Sequence, residues 1–540
     1  MQVRSTEQHI GTIEPPATQT QTQTAERGTR RGQRGLWMRQ PLLWAEALLG
    51  LYVLAVSASA MTGPLDRDEG AFLTIARVVL HGGLPYRDAF DQKSPAIYYL
   101  LAGLLAVTGW LSPFAQVLVI RAVVVLVNFA TAGGLVLLGR RWWSLEVGVL
   151  GAALWLLGMP IFQGDHFFTE PFAVAATVFA LVAVVYWPTA RGALCAGVLL
   201  AIGSLFKQTA VLAVPGVALL LLPDWRVDRR WWRPRWPVLA RLASFAAGLI
   251  VPWLLVLGAF ALAGAFGPMW QQVVVSNITH YPADGTLRSR LNLGIGRLPL
   301  VWLTPVALAA LGVARWIGWW PGAHGGRGPA PSPASVALWV IMALAAVPFA
   351  THSYAHYWLQ LLPSAVLLTA LAIIALLEVW RPSVPALAAP RSVPVRLLGP
   401  VVVLAIVLLG TSSVLPTSQA KALGQQLQTQ NSFGQVIAAN TAPTDRIVVM
   451  PAEAEYYFLS NRAPATSTIY IQVINITPAL IAGVENDLDA QRYQAVVWRL
   501  GPFNDWPQLA EVYGHLRAHY QLVAQDTTQG LQLWKPDGSA

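Results

Sequence analysis

Five carboxylates crowd one short stretch, GPLDRDEGAFLTIARVVLHGGLPYRDAFDQKSPAIYYLL (residues 63–101): Asp66, Asp68, Glu69, Asp88 and Asp91. The same stretch carries Lys93, one of only 4 lysines in a chain with 32 arginines. A carboxylate in this setting can take a proton from a hydroxyl, or it can simply favour the start of the following helix. A lysine ammonium is a compact point charge that suits a phosphate. Lys207 lies between two apolar runs. A charge there is expensive unless it meets an anion or an aqueous cavity, or snorkels to the interface.

Two further groups carry chemistry. In Gly164-Asp165-His166-Phe167-Phe168-Thr169-Glu170-Pro171, Glu170 opens an apolar run. It sits near membrane level, either as a helix cap or facing a ligand. In Thr351-His352-Ser353-Tyr354-Ala355-His356-Tyr357-Trp358, His352 and His356 have the i,i+4 spacing of a metal pair on a helix. No HExxH-type glutamate accompanies them, and an interfacial aromatic belt accounts for Tyr354, Tyr357 and Trp358. Cys195 is the single cysteine and has no partner for an intrachain disulfide.

These residues must be held by a membrane protein. The chain has 540 residues, of which AVILMFWYC make up 55% and charged residues 11%. Soluble domains carry about 25% charge, so this chain cannot cover a water-facing surface. The formal net charge of +10 does not mark a nucleic-acid binder, because no polar domain carries a basic and aromatic stripe.

Residues 1–40 are rich in Gln, Thr, Arg and Gly and read as a disordered cytoplasmic leader. A retained first span follows near 42–61. Further apolar runs of spanning length fall near 116–138, 146–163, 171–187, 192–206, 209–223, 242–265, 298–314, 335–351, 358–378 and 397–416, eleven in all. With the N-terminus inside, inner segments hold 20 basic and 5 acidic residues, and outer loops hold 8 of each. That is the positive-inside pattern. Counting Pro95–Trp110 as a span would invert it, so this segment and Asp68–His81 read as helices lying in the outer membrane surface. In the latter, Phe72, Ile75, Ala76 and Val79 recur opposite Thr74, Arg77 and His81.

After Pro416 the composition becomes that of a soluble unit. Strands are expected at 447–450, 495–498 and 531–534, and helices near 422–440, 477–490 and 506–520. Their alternation predicts a small α/β domain over 417–540, on the outer face by the span count. The fold class is thus an α-helical polytopic membrane protein, its transmembrane part over 41–416, with a C-terminal α/β extracytoplasmic domain.

The order of these outer motifs resembles the GT-C membrane glycosyltransferases, and most closely the branch of protein O-mannosyltransferases and aminoarabinose lipid A transferases. The matching features are Asp68-Glu69 opening an amphipathic helix, Lys93-Ser94-Pro95, Glu170, Phe206-Lys207-Gln208 and His356-Tyr357. They cover roughly residues 43–416. The resemblance implies Asp68 as general base with Glu69 in support, and Lys93, Lys207, His356 and Tyr357 around a donor phosphate. Asp66, Asp91, Asp165, Glu170 and His352 would support the site or the acceptor. The aminoarabinose branch has a Glu before its Lys-Pro and a metal nearby. Here Gln92 precedes Lys93 and Ser94 intervenes, so a divalent metal, if used, would fall to Asp91 and His280.

The implied reaction moves a sugar from a polyprenyl-phosphate donor to a protein, lipid or glycan hydroxyl at the outer face, with inversion. One carboxylate and cations suffice, because a phosphate leaves as a stable anion. No cofactor is required. The competing reading is a transporter or lipid flippase, which would show repeats and broken helices at midplane. No repeat is evident, and the ionisable residues crowd the outer face. The expected location is the inner (plasma) membrane.

Overall fold

The computed structural model describes residues 61–222, 236–279, 354–379, 417–471, 475–501 and 507–538. The leader, most of the first span, and the spans expected near 298–314, 335–351 and 397–416 lie outside the described residues.

Helix α1, Arg67–Leu80, begins at a capping box: Asp66 accepts from the Asp68 amide at 2.9 Å, and Glu69 accepts from the Asp66 amide at 2.9 Å. These two bonds satisfy amides that the first turn leaves open. Helix α2, Ala96–Val107, starts after Pro95 and buries Ile97, Tyr98, Leu101 and Leu105. The membrane part follows with α3 (Pro113–Trp142), α4 (Leu145–Gly158), α5 (Thr169–Tyr186), α6 (Ala190–Phe206), α7 (Val214–Leu220) and α8 (Trp236–Leu262). Beyond it lie α9 (Phe266–Trp270), a π turn, α10 (Ser276–Thr279) and α11 (Leu362–Val379). Among the described residues, α3, α5 and α8 are long and apolar enough to cross a membrane.

Two expected spans differ from the structure. The run 146–163 forms α4 and then a 3-10 turn at Met159–Phe162, because Pro160 cannot continue the helix and Gln163 turns left-handed at φ 56°. The run 209–223 forms a 3-10 helix, Gln208–Ala213, and then α7, which starts at Val214 with Pro215 in its first turn. Helices α6 and α8 meet backbone to backbone at Gly197 and Gly248. A Cβ on Gly197 would lie 2.2 Å from the Phe245 carbonyl oxygen, and one on Gly248 2.2 Å from that of Leu194. Such close approach gains dispersion contacts where lipid offers no hydrophobic drive.

The C-terminal part holds α12 (Thr417–Ala439), α13 (Glu455–Leu459), α14 (Pro478–Asp489) and α15 (Pro507–His519) around a sheet of β1 (Arg446–Met450), β2 (Ala463–Pro464), β3 (Ala495–Arg499), β4 (Tyr520–Asp526) and β5 (Leu531–Pro536). The strand order is β2-β1-β3-β5-β4, parallel from β2 to β3 and antiparallel from there to β4. Side-chain alternation gives the sheet two buried faces. Val448, Met450, Val496 and Trp498 pack with α14 and α15. Ile447, Val449, Val497 and Leu533 join Leu427, Phe433, Tyr456 and Phe458, and this cluster runs on into Phe72, Leu73, Ile75 and Tyr98 of α1 and α2.

The C-terminal part therefore shares a core with the first loop, which changes how α1 is solvated. Its Thr74–Arg77 stripe was expected to face water. Instead Thr74 is buried and donates to the Ala454 carbonyl at 3.0 Å. Arg77 donates to the Phe458 carbonyl at 3.2 Å, and its guanidinium lies 4.5 Å from the Phe458 ring centre. Gly70 permits this contact, since a Cβ there would lie 2.4 Å from the Glu455 nitrogen. Gly70→Ala should destabilise the protein by about 1–3 kcal/mol through overpacking. Gly103→Ala, inside α2 with nothing within 4 Å of its Cβ, should not lower stability and should gain up to about 1 kcal/mol in helix propensity. Fluorescence-monitored melting of both variants in detergent checks this, and equal melting curves would refute the tight seat.

Candidate active site

Asp68 stands in the first turn of α1, and its Oδ2 lies 3.1 Å from Lys93 Nζ. Both side chains keep solvent contact, 31% for Asp68 and 20% for Lys93. The loop that delivers Lys93 has little regular structure of its own, so side chains pin it. Tyr86 donates its hydroxyl to the Lys93 carbonyl at 2.8 Å. Asp91 Oδ1 accepts from the Gln92 amide at 2.6 Å, the Lys93 amide at 3.3 Å and the Tyr470 hydroxyl at 3.0 Å. Gln272 accepts from the Asp91 amide at 3.1 Å, and Asn277 donates to the Gln92 carbonyl at 2.9 Å.

Glu69, one residue beyond Asp68, is wholly buried. Its Oε2 lies 3.2 Å from Arg121 Nη2, and its Oε1 accepts from the Phe167 amide at 3.1 Å and lies 3.3 Å from His166 Nδ1. Burial disfavours its charge, but His166 and Arg121 prevail and hold its carboxyl down at about 2. Burial likewise opposes the His166 imidazolium, yet Glu69 and Asp165 hold it up at about 9. Asp66 moves the other way, to about 6, through burial and the adjacent Asp68 charge. Burial also raises Asp91 to about 6 and raises Asp165.

A second ion pair joins Glu170, in the first turn of α5, to Lys207 at the end of α6. Thr169 donates to the other Glu170 oxygen at 3.1 Å, and His356 Nε2 lies 3.7 Å from Glu170 Oε1. Lys207 Nζ sits 3.8 Å from the centre of the Tyr357 ring, a cation–π contact. His356 Nδ1 is 3.1 Å from Gln163 Oε1, and its ring packs on Phe168 and Tyr354 at centroid distances of 4.6 and 5.5 Å. Burial outweighs the Glu170 charge at Lys207 and lowers its ammonium to about 8. Burial also lowers His356 to about 4, which leaves it neutral at pH 7. Lys93 and Asp68 bear electrostatically on both groups, so the two ion pairs form one charged cluster.

The structure thus brings together Asp68, Lys93, Glu170, Lys207, His356 and Tyr357. Glu69 and Asp66 lie behind Asp68 as its capping and ion-pair support, and Asp165 flanks His166. Asp88 is taken up by Arg87 and the Leu84 amide. His356 lies in a 3-10 turn, Ala355–Gln360, rather than on the α-helix that an i,i+4 metal pair needs. His352 and His280 lie outside the described residues. Among the described residues, no group of three or more His, Cys, Asp or Glu converges as metal ligands would. Asp91 is already engaged with Tyr470 and two amides. The residues sequence reasoning passed over are Arg121, Gln163, Gln272, Gln430 and Tyr470. Of these only Arg121, a lone charge inside an apolar span, carried a signal.

No family model and no curated protein matches the chain. Solved structures do. ArnT from Cupriavidus metallidurans bound to undecaprenyl phosphate is similar at TM-score 0.60 and 15% identity, over 92% of this chain and 98% of that one. Its apo form is similar at 0.57 and 14%, over 91% and 97%. The Archaeoglobus fulgidus oligosaccharyltransferase tethered with an acceptor peptide is similar at 0.51 and 11%, over 90% and 74%. The chain shares the fold of these solved structures.

The Glu69–His166 contact has a pH signature. The stabilisation from a protonated His166 is complete below its ordinary value of 6.5 and is lost as pH rises through about 9. The melting temperature of wild type should therefore exceed that of His166→Gln most below pH 6.5, with the gap closing toward pH 9. A gap that widens with pH would contradict the assignment.

Proposed function

We propose that this protein is an inverting glycosyltransferase that moves a sugar from a polyprenyl-phosphate donor to a hydroxyl acceptor at the outer face of the membrane. The observation that carries this reading is the convergence of one accessible carboxylate, Asp68, with two lysines, Lys93 and Lys207, in a single cluster. The GT-C fold supports it, as does the undecaprenyl phosphate bound to ArnT and the acceptor peptide tethered to the oligosaccharyltransferase.

In this reading Asp68 takes the proton of the acceptor hydroxyl as its oxygen attacks the anomeric carbon. The bond from that carbon to the phosphate oxygen breaks, and polyprenyl phosphate leaves with the electron pair. Lys93 and Lys207 stabilise the charge that grows on the departing phosphate. Displacement from the face opposite the leaving group inverts the anomeric centre. Glu69 has no accessible surface and acts through Asp68, whose helix start it fixes. A cavity of about 480 Å³ with walls including Leu84, Pro95, Ala96, Tyr99, Leu205 and Phe260 adjoins the Lys93 loop. Its apolar lining suits a prenyl tail whose phosphate reaches the lysines.

The arginine distribution supports a cytoplasmic N-terminus, with the site and the C-terminal unit on the outer side of the inner (plasma) membrane.

Asp68→Asn should lower transfer by about 10²–10⁴-fold, the usual worth of a general base, while the protein still accumulates in the membrane. Release of polyprenyl phosphate from candidate donors by the purified protein in lipid measures this, and a fully active variant would sink the assignment. The KM for the donor should rise as pH passes about 8, where Lys207 loses its proton. A donor KM flat from pH 7 to pH 9.5 would remove Lys207 from phosphate binding.

A further inference from the structure

The C-terminal unit grips the first loop through polar side chains at two places, and each place immediately precedes one member of the Asp68–Lys93 pair. At the first, Gln430 of α12 acts as a two-bond clamp: its Oε1 accepts from the Leu65 amide at 2.8 Å, and its Nε2 donates to the Leu65 carbonyl at 3.2 Å. Beside it, Arg67 Nη2 lies 3.2 Å from Oε1 of Glu453. Glu453 is wholly buried and also accepts from the Ala452 amide at 3.0 Å. At the second, the buried Tyr470 hydroxyl lies 3.0 Å from Asp91 Oδ1 and 2.8 Å from Gln92 Oε1. The Phe90 amide donates to the Ser467 carbonyl at 2.8 Å, extending this grip by one backbone bond.

We propose that Gln430 and Tyr470 are positioning residues that set the separation of Asp68 and Lys93, which makes the C-terminal unit a structural part of the active site. The proposal rests on the transfer reaction above. Adhesion alone does not need these groups. The shared apolar cluster and the seat of α13 on Gly70 already hold the unit to α1. Burying amides and a hydroxyl costs desolvation that only well-made hydrogen bonds recover. Here those bonds are placed three residues before Asp68 and one or two before Lys93. Asp91 passes the second grip onward, because the oxygen that faces Tyr470 also faces the Lys93 amide. Without the clamps, the Lys93 loop would regain conformational freedom that its sparse secondary structure does not restrain.

The test uses the full chain in lipid nanodiscs and two readouts on Tyr470→Phe and Gln430→Ala. The first is acylation of each lysine by an amine-reactive reagent without substrate, resolved by mass spectrometry. The second is steady-state transfer. Tyr470→Phe removes one oxygen atom and keeps the packing of its ring on Phe90, so it carries the test should Gln430→Ala fold poorly. The expected result is faster acylation at Lys93 with Lys535 unchanged, and turnover at saturating donor lowered roughly tenfold with donor KM within about threefold, as misplacement by about 1 Å gives. Wild-type acylation and turnover in both variants would overturn the proposal. So would acylation that rises equally at Lys93 and Lys535, which marks general loosening. Lack of transfer by the wild type would count against the glycosyltransferase reading, and the acylation pattern would still decide the clamp.

Discussion

Glu69 is a carboxylate taken wholly out of water, and the geometry of the site follows from how its charge is met. Arg121 reaches it from α3, the Phe167 amide and His166 from the turn before α5, and the Asp66 amide from its own helix start. Arg121 is buried as well and also donates from its two Nη atoms to the carbonyls of Met61, Gly63 and Pro64 at 2.8, 2.6 and 2.9 Å. One ion pair thus ties together the chain entering α1, the third helix and the second outer turn. A buried pair adds little net stability against an apolar substitute, but losing one partner strands the other, at roughly 3–5 kcal/mol. What it supplies is a fixed helix start, which carries Asp68 one residue before Glu69.

The charges to which the proposed reaction assigns a role are arranged differently. Asp68 and Lys93 neutralise each other at a wet edge, and Glu170 and Lys207 do so further in. Each lysine therefore holds an internal counterion. A phosphate entering the cluster competes with carboxylates for cations that are already in place, so little side-chain entropy remains to be lost on binding. Transfer of Lys93 toward a phosphate would also release Asp68 from its partner, leaving a freer acceptor for a hydroxyl proton. The aromatic group of Phe168, Tyr354, His356 and Tyr357 keeps the inner pair dry and strengthens its fields.

Much of this was legible in the chain because the signals were local. The carboxylates at the start of α1, the apolar runs of β1, β3 and β5, and the rarity of lysine each show in the sequence itself. Strand β4 was not visible: its residues are mostly exposed at the sheet edge, so it lacks an apolar run and merges with the preceding helix. The polar stripe of α1 was misassigned for a related reason. Thr74 and Arg77 are satisfied as well by backbone carbonyls as by water, and only the tertiary fold decides between them. Arg121 was hidden inside an apolar span whose length alone was read.

The same limit explains why the C-terminal unit looked like an appendage. A soluble composition after eleven apolar runs invites a domain boundary, and nothing in residues 417–540 resembles a catalytic motif. Yet one face of its sheet lacks enough helix of its own, and α1 and α2 complete that core. A first-loop helix covered by protein on its polar side is held on both faces, which an interfacial helix floating on lipid headgroups is not. Rigid placement matters most for a reaction whose donor is anchored by a flexible chain. In the proposed reaction the lipid would bring little order of its own, so the protein would have to present base and cations at a fixed spacing before the donor arrives.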